Sequence, residues 1–92
     1  MIKPTVGRVV WYRPSEHDRV RMEVRDSQPL AAVVAYVWSP ALVNLTVFDH
    51  NGVPHQQTSV VLHQDDSECT ASPFCEWIKA AEFARREPAR LA

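Results

Sequence analysis

At 92 residues the chain has enough apolar area for one hydrophobic core, because a second domain would not offset the backbone entropy of ordering it. Ten Lys and Arg against eleven Asp and Glu leave a formal net charge of -1, which excludes the global positive field that draws a protein onto nucleic acid. The apolar content of 46% is that of an ordinary globular protein, and no apolar run reaches the ~18 residues that a membrane-spanning helix needs.

The opening Met1-Ile2-Lys3-Pro4 lacks the apolar stretch of a secretory signal, so a cytoplasmic location is expected. Val6 to Tyr12 is the first predicted strand, since Val9, Val10, Trp11 and Tyr12 suit a pleated, packed surface. Gly7 marks a bulge or a close backbone approach near its start, and Pro14 ends it by withholding a ladder donor. Pro14 to Asp18 reads as a polar loop. Arg19 to Arg25 then alternates, with Val20, Met22 and Val24 on one face and charges on the other, which predicts a half-buried strand. Asp26-Ser27-Gln28-Pro29 breaks that run with turn chemistry.

Leu30 to Trp38 is apolar at every position, which predicts a central strand with neither face intended for water. Ser39-Pro40-Ala41 connects it to the clearest strand of the chain. Val43, Leu45 and Val47 alternate there with Asn44, Thr46 and Phe48, and Asn51-Gly52 supplies the residues of a tight turn. The returning strand is expected to end in Thr58-Ser59-Val60-Val61-Leu62, with His55-Gln56-Gln57 as a polar prelude and pairing from near Thr58. His63 to Glu68 reads as an acidic loop, and Phe74 to Ile78 as a final short strand bringing Trp77 to the core. Lys79 to Arg86 has helix-forming residues and an apolar stripe, stopped by Pro88.

The expected architecture is therefore a mostly β domain over residues 1-79. It is a small SH3-like barrel of about five antiparallel strands, with a short C-terminal helix and tail over 80-92. The aromatic residues are expected to furnish most of its core.

Lys3-Pro4-Thr5-Val6-Gly7-Arg8-Val9-Val10-Trp11-Tyr12, the Ala31-Ala32 strand and Asn44-Leu45-Thr46-Val47-Phe48 with its Gly-containing turn occur in a characteristic order. In that order the chain resembles a family of small uncharacterised proteins of tailed bacteriophages and prophages, over most of residues 3 to 78. The resemblance implies a phage or prophage origin, the host bacterial cytosol as setting, and a small barrel-like fold. It transfers no catalytic residue. The charged arm Arg19 to Arg25 and the segment Ala80 to Ala92 depart from the pattern, so functions placed there would be private to this chain.

Chemistry is sparse in the sequence. His50 and His55 flank the Asn51-Gly52 turn beside Asp49, a conceivable metal site that lacks a supporting shell, and no metal or cofactor is expected. Cys69 and Cys75 lie six positions apart without a Cys/His ladder and are expected as free thiols. No nucleophile elbow, phosphate loop or paired-carboxylate motif is present, which argues against an enzyme.

Binding is the remaining class. Phe48 falls on the polar face of its strand, where an aromatic ring would anchor a partner. With Trp11, Trp38, Arg19, Arg21 and Arg25 it makes up the expected partner-binding set. The expected partner is a host protein, such as a component of a defence system, bound by a non-enzymatic module. The outer face of residues 30-38 would then be covered by the C-terminal segment or by a second subunit in a homodimer. The alternative is a nucleic-acid or small-nucleotide binder using Arg8, Arg13, Arg19, Arg21 and Arg25 interleaved with Trp11 and Tyr12. A further alternative is a virion accessory or assembly protein. No membrane partner is expected.

Overall fold

The computed structural model describes residues 2–65 and 68–78. Its elements are β1 (Val9–Arg13), α1 (Glu16–Arg21), β2 (Leu30–Ser39), β3 (Leu42–Phe48), β4 (Pro54–His63) and β5 (Phe74–Glu76). The strands close into a barrel in chain order, and the architecture is the small SH3-like barrel expected from the sequence. β1 joins β2 and β5, β2 joins β3, and β3 joins β4, all antiparallel, while the closing pair β4–β5 is parallel. The expected C-terminal helix over 80-92 lies outside the described residues.

The core is mostly aliphatic. Among the described residues Val10, Leu30, Ala32, Val34, Val43, Leu45, Val47, Val60 and Leu62 fill it with Met22, Cys75 and a single fully buried ring, Tyr12, and Trp77 packs against it partly buried. The expectation that aromatic residues dominate the core is thereby corrected. Tyr36 and Trp38 point outward, and Trp11 is buried outside that cluster, on the outer side of β1. β3 shows why its sequence pattern was clear, since Val43, Leu45 and Val47 are buried while Leu42, Asn44, Thr46 and Phe48 are half-buried on the other face. Asn51-Gly52 forms the expected turn, with Gly52 at φ 84° and its N–H donating to the Asp49 carbonyl at 2.8 Å.

The Lys3 to Arg8 phrase has a structural role. Pro4 is buried, Gly7 adopts φ 94°, and Arg8 N–H closes a turn on the Thr5 carbonyl at 3.2 Å. Gly7 N–H then donates to the Val34 carbonyl at 2.8 Å and Val34 N–H to the Arg8 carbonyl at 2.9 Å, extending the β1–β2 ladder toward the N-terminus. Gln64 fastens this segment from the other side: its amide takes the Ile2 N–H and the Trp77 indole N–H, each at 3.0 Å, and donates to the Ile2 and Pro40 carbonyls.

Three expectations are corrected. Residues 19-25 are not a strand. Ser15 caps α1 in a capping box with Asp18, which nucleates a helical turn that the alternation of Val20, Met22 and Val24 concealed. Met22 is buried and Val24 packs against the core, whereas Val20 is 85% exposed. β2 is not closed to water on both faces, for a reason given below. β4 starts at Pro54, opposite Phe48, rather than near Thr58. Pro54 needs no ladder donor at a first strand position, and inward His55 and Gln57 find acceptors at the barrel mouth.

That mouth is roofed by residues 15-29. The Tyr12 hydroxyl donates to Asp18 Oδ2 at 2.5 Å, Ser15 N–H donates to the same oxygen at 3.1 Å, and Arg21 and Gln57 reach Oδ1. Burial, reinforced by the Asp18 contact, pushes the Tyr12 hydroxyl well above its ordinary pKa. Burial alone would raise the Asp18 carboxyl, yet the hydrogen bonds from Tyr12, Ser15 and Arg21 outweigh it and hold the group below the ordinary carboxylate value.

Candidate protein-binding face

The side chains most at odds with their chemistry lie on β2. Leu30, Ala32 and Val34 face the core, so even-numbered positions point inward at the start of the strand. Val34 pairs with Leu45 and Tyr36 with Asn44, leaving Ala35 as an extra residue in a β-bulge. The bulge reverses the alternation: Val37 now packs toward the core, and Tyr36 and Trp38 are 51% and 58% exposed. A second irregularity at Trp38, between Val37↔Val43 and Ser39↔Leu42, carries the strand into its turn. An uninterrupted pleat would have sent both rings into the barrel.

The two rings are held in place. Their centroids lie 4.8 Å apart at 73°, an edge-to-face contact. The Trp38 indole N–H donates to Asn44 Oδ1 at 2.9 Å, and Ser59 N–H donates to the same oxygen at 2.8 Å. Ser59 sits where Thr58 and Ser59 together oppose Asn44, a bulge in β4, and takes the left-handed conformation at φ 55°. Three strands thus converge on the Asn44 carboxamide, which fixes the ring pair.

The strands of this face carry few charges, and Lys3 lies at its edge, lining a cleft with Val37, Ser39 and Pro40. β2, β3 and β4 contain no Asp, Glu, Lys or Arg, although such residues make up 23% of the chain. Cross-strand pairing places Val9 opposite Val33, and Val61 opposite both Leu42 and Phe74, and Val9 and Val61 are exposed on the outer side of the sheet.

The sequence-predicted partner residues separate into two regions. Trp38 belongs to the face just described. Phe48 points outward as its alternation predicts, half-buried, in a cross-strand row with Trp11, Ala31 and Pro54 near the roofed mouth. Trp11 is buried, with the Arg13 guanidinium 5.7 Å from its ring centroid. Arg19, Arg21 and Arg25 belong to the roof: Arg19 is exposed, Arg21 pairs with Asp18 at 3.0 Å, and Arg25 donates to Asn51 Oδ1 at 2.7 Å. Arg8 stacks over Trp77 at 4.6 Å and Arg13 binds Glu76 at 2.7 Å, so the five arginines form no continuous strip. Sequence reasoning passed over Tyr36 and Asn44. The signal present was two large rings at i and i+2 near the end of a strand too apolar to have both faces covered in a chain of this size.

The His50, His55 and Asp49 side chains do not converge. His55 Nε2–H donates to Asp49 Oδ2 at 2.9 Å, whereas His50 Nδ1 accepts Arg25 N–H at 3.0 Å and turns its other nitrogen toward the Pro29 carbonyl. The His55 hydrogen bond, helped by the N–H groups of Val53, Asn51 and Glu23, pulls the Asp49 carboxyl down to about 2. Cys69 and Cys75 are free, and burial pushes the Cys75 thiol up to about 12, which makes it a poor nucleophile. Among the described residues no group of three His, Cys, Asp or Glu is arranged to hold a metal ion, and no helix is long and apolar enough to cross a membrane. Comparison of the chain with family models, with curated proteins and with solved structures finds no match.

Proposed function

We propose that the chain is a non-enzymatic, phage-encoded interaction module that binds a host protein through the Tyr36–Trp38 face in the bacterial cytosol. One observation carries the reading: a bulge at Ala35 turns two aromatic side chains out of the barrel and holds them there as a rigid pair. Burying either ring would stabilise the fold by about 2 kcal/mol, and aromatic anchors on a preorganised surface carry a disproportionate share of interface energy. The resemblance stated above supplies the phage setting.

The polar clusters of the described residues serve the fold. Tyr12–Asp18 and Asp49–His55 are saturated with internal hydrogen bonds. Nucleic-acid binding by the N-terminal third draws less support, since Arg8, Arg13, Arg21 and Arg25 each engage an internal partner.

The test is capture of partners from nuclease-treated host lysate by the tagged wild-type chain, by Trp38→Ser and by Arg19→Ser/Arg25→Ser. A stoichiometric protein lost from Trp38→Ser and kept by the arginine variant is the expected result. A protein retained by Trp38→Ser, or a partner that disappears with nuclease, would refute the reading.

A further inference from the structure

We propose that the cleft between the N-terminal segment and the end of β2 is a binding site for a small organic acid, a monocarboxylate with an aliphatic or aromatic body. The proposal goes beyond the protein-binding reading and does not depend on it. The way the cleft is held open, the donors that line it and its size lead to it.

The N-terminal segment is fastened to the barrel at two points. The Gln64 carboxamide holds Ile2 through both its N–H and its carbonyl, and backbone hydrogen bonds to Val34 hold Gly7 and Arg8. Among the described residues no backbone hydrogen bond joins residues 3–6 to β2, and Pro4 has no N–H to give. The segment therefore stands off from the end of the strand, leaving a cleft of about 250 Å³ lined by Lys3, Pro4, Val37, Ser39 and Pro40. Gln64 also donates to the Pro40 carbonyl at 3.1 Å, so one side chain ties the two walls of the cleft together and sets its width before a ligand arrives.

The two polar side chains of the cleft have donors to offer. Lys3 is exposed and, among the described residues, pairs with no carboxylate, unlike Arg13 and Arg21. Ser39 Oγ accepts the Ala41 N–H at 3.2 Å, which leaves its O–H to donate. No Asp or Glu lines the cleft. An ammonium and a hydroxyl match the two accepting oxygens of one carboxylate. A phosphate dianion would bring a second charge against Pro4, Val37 and Pro40 with no second cation in the lining to meet it. Those three apolar residues suit the hydrocarbon body of an acid instead. The volume, below the roughly 300 Å³ at which drug-sized pockets begin, restricts that body to a short chain or a single ring.

The experiment titrates the isotope-labelled full chain with sodium phenylacetate, and in parallel with phenylethanol, phenethylamine and inorganic phosphate, followed in proton–nitrogen spectra. Phenylacetate is expected to shift the Lys3, Val37 and Ser39 amide resonances saturably, with a dissociation constant of about 5 mM or tighter for a ligand of about ten non-hydrogen atoms. The alcohol, the amine and phosphate should leave those resonances in place. Lys3→Gln, at an exposed position that keeps the dispersed spectrum of the folded chain, should weaken phenylacetate binding at least about fivefold, and Ser39→Ala at least about twofold. Lys3→Arg restores a cation and should stay within about twofold of wild type.

Unchanged affinity in Lys3→Gln, an equal response to phenylethanol, or shifts that do not saturate would each overturn the proposal. Phosphate binding as tight as phenylacetate would make the cleft a general anion site and overturn the carboxylate assignment. Shifts centred on Tyr36 and Trp38 that vanish in Trp38→Ser and persist in Lys3→Gln would place the ring of the probe on the aromatic pair and overturn the cleft as its site.

Discussion

Tyr12 and Asp18 form the polar keystone of the barrel mouth: the hydroxyl of an inward β1 residue donates at 2.5 Å to the carboxylate that also caps α1. One carboxylate therefore couples the helix to the sheet. Tyr12→Phe removes one of several donors to Asp18 and is expected to cost about 1–2 kcal/mol. Asp18→Ala also strands the buried Tyr12 hydroxyl and dismantles the capping box, so its cost should be larger, about 3 kcal/mol. Urea denaturation of the two variants checks the order. Equal losses would show that the helix and the sheet are not coupled through this residue.

Acid should destabilise the protein through the same region. The Asp49 carboxyl is held at about 2 in the fold against an ordinary 3.8, and Asp18 is also lowered. Over the interval between those values the unfolded chain binds more protons than the folded one. The stabilisation is complete above about pH 4 and is lost as pH falls toward 2. Thermal unfolding followed across that window should show a falling midpoint in wild type and a shallower fall in Asp49→Asn, which starts from a lower midpoint at neutral pH.

The sequence showed those parts of the fold in which local pattern and tertiary position agree. β3 has no extra residue before Leu45, and Val43, Leu45 and Val47 are apolar where they are buried, so its face was readable, Phe48 included. β2 was readable as a strand but not in its orientation, because a bulge at Ala35 leaves no trace when the residues on both sides are apolar. α1 was hidden by a coincidence of period. Val20, Met22 and Val24 mimic a strand face, and the Ser15-Glu16-His17-Asp18 capping signature outweighs them only once Asp18 finds Tyr12. The site went partly unread for the same reason as β2: Trp38 could be named as an aromatic candidate, but its pairing with Tyr36 and Asn44 depends on two bulges in different strands.

Asn44 should matter for the rigidity of the ring pair more than its half-buried position suggests. Asn44→Ala releases the Trp38 indole N–H and the Ser59 N–H together, with an expected loss of about 1–2 kcal/mol. In a proton–nitrogen spectrum the Trp38 indole resonance should move toward the free-indole position and its exchange with solvent should accelerate. An unmoved resonance would mean that the carboxamide does not hold the ring.

Ser59 provides an independent test of the β4 bulge. Its φ of 55° is a conformation that glycine takes without steric penalty. Because the contact to Asn44 uses the backbone N–H, Ser59→Gly keeps it and should alter stability by less than about 1 kcal/mol in either direction. Ser59→Val places a β-branched side chain in the left-handed region and should lower stability by about 1–2 kcal/mol or more. Similar midpoints for the two variants in urea would argue against the left-handed bulge.

The strongest test of the bulge is deletion of Ala35. Val34 pairs with Leu45 and Tyr36 with Asn44, so removing the extra residue while both flanking ladders are kept joins Val34 directly to Tyr36 in a regular pleat. Val34 and Val37 then still face the core, and Tyr36 and Trp38 still face outward. The deletion is expected to keep cooperative unfolding and to change stability by no more than about 2 kcal/mol, with tryptophan fluorescence quenched by acrylamide as in wild type. Loss of cooperative unfolding, or tryptophans newly shielded from acrylamide, would mean that Ala35 belongs to the pleat and is not the extra residue.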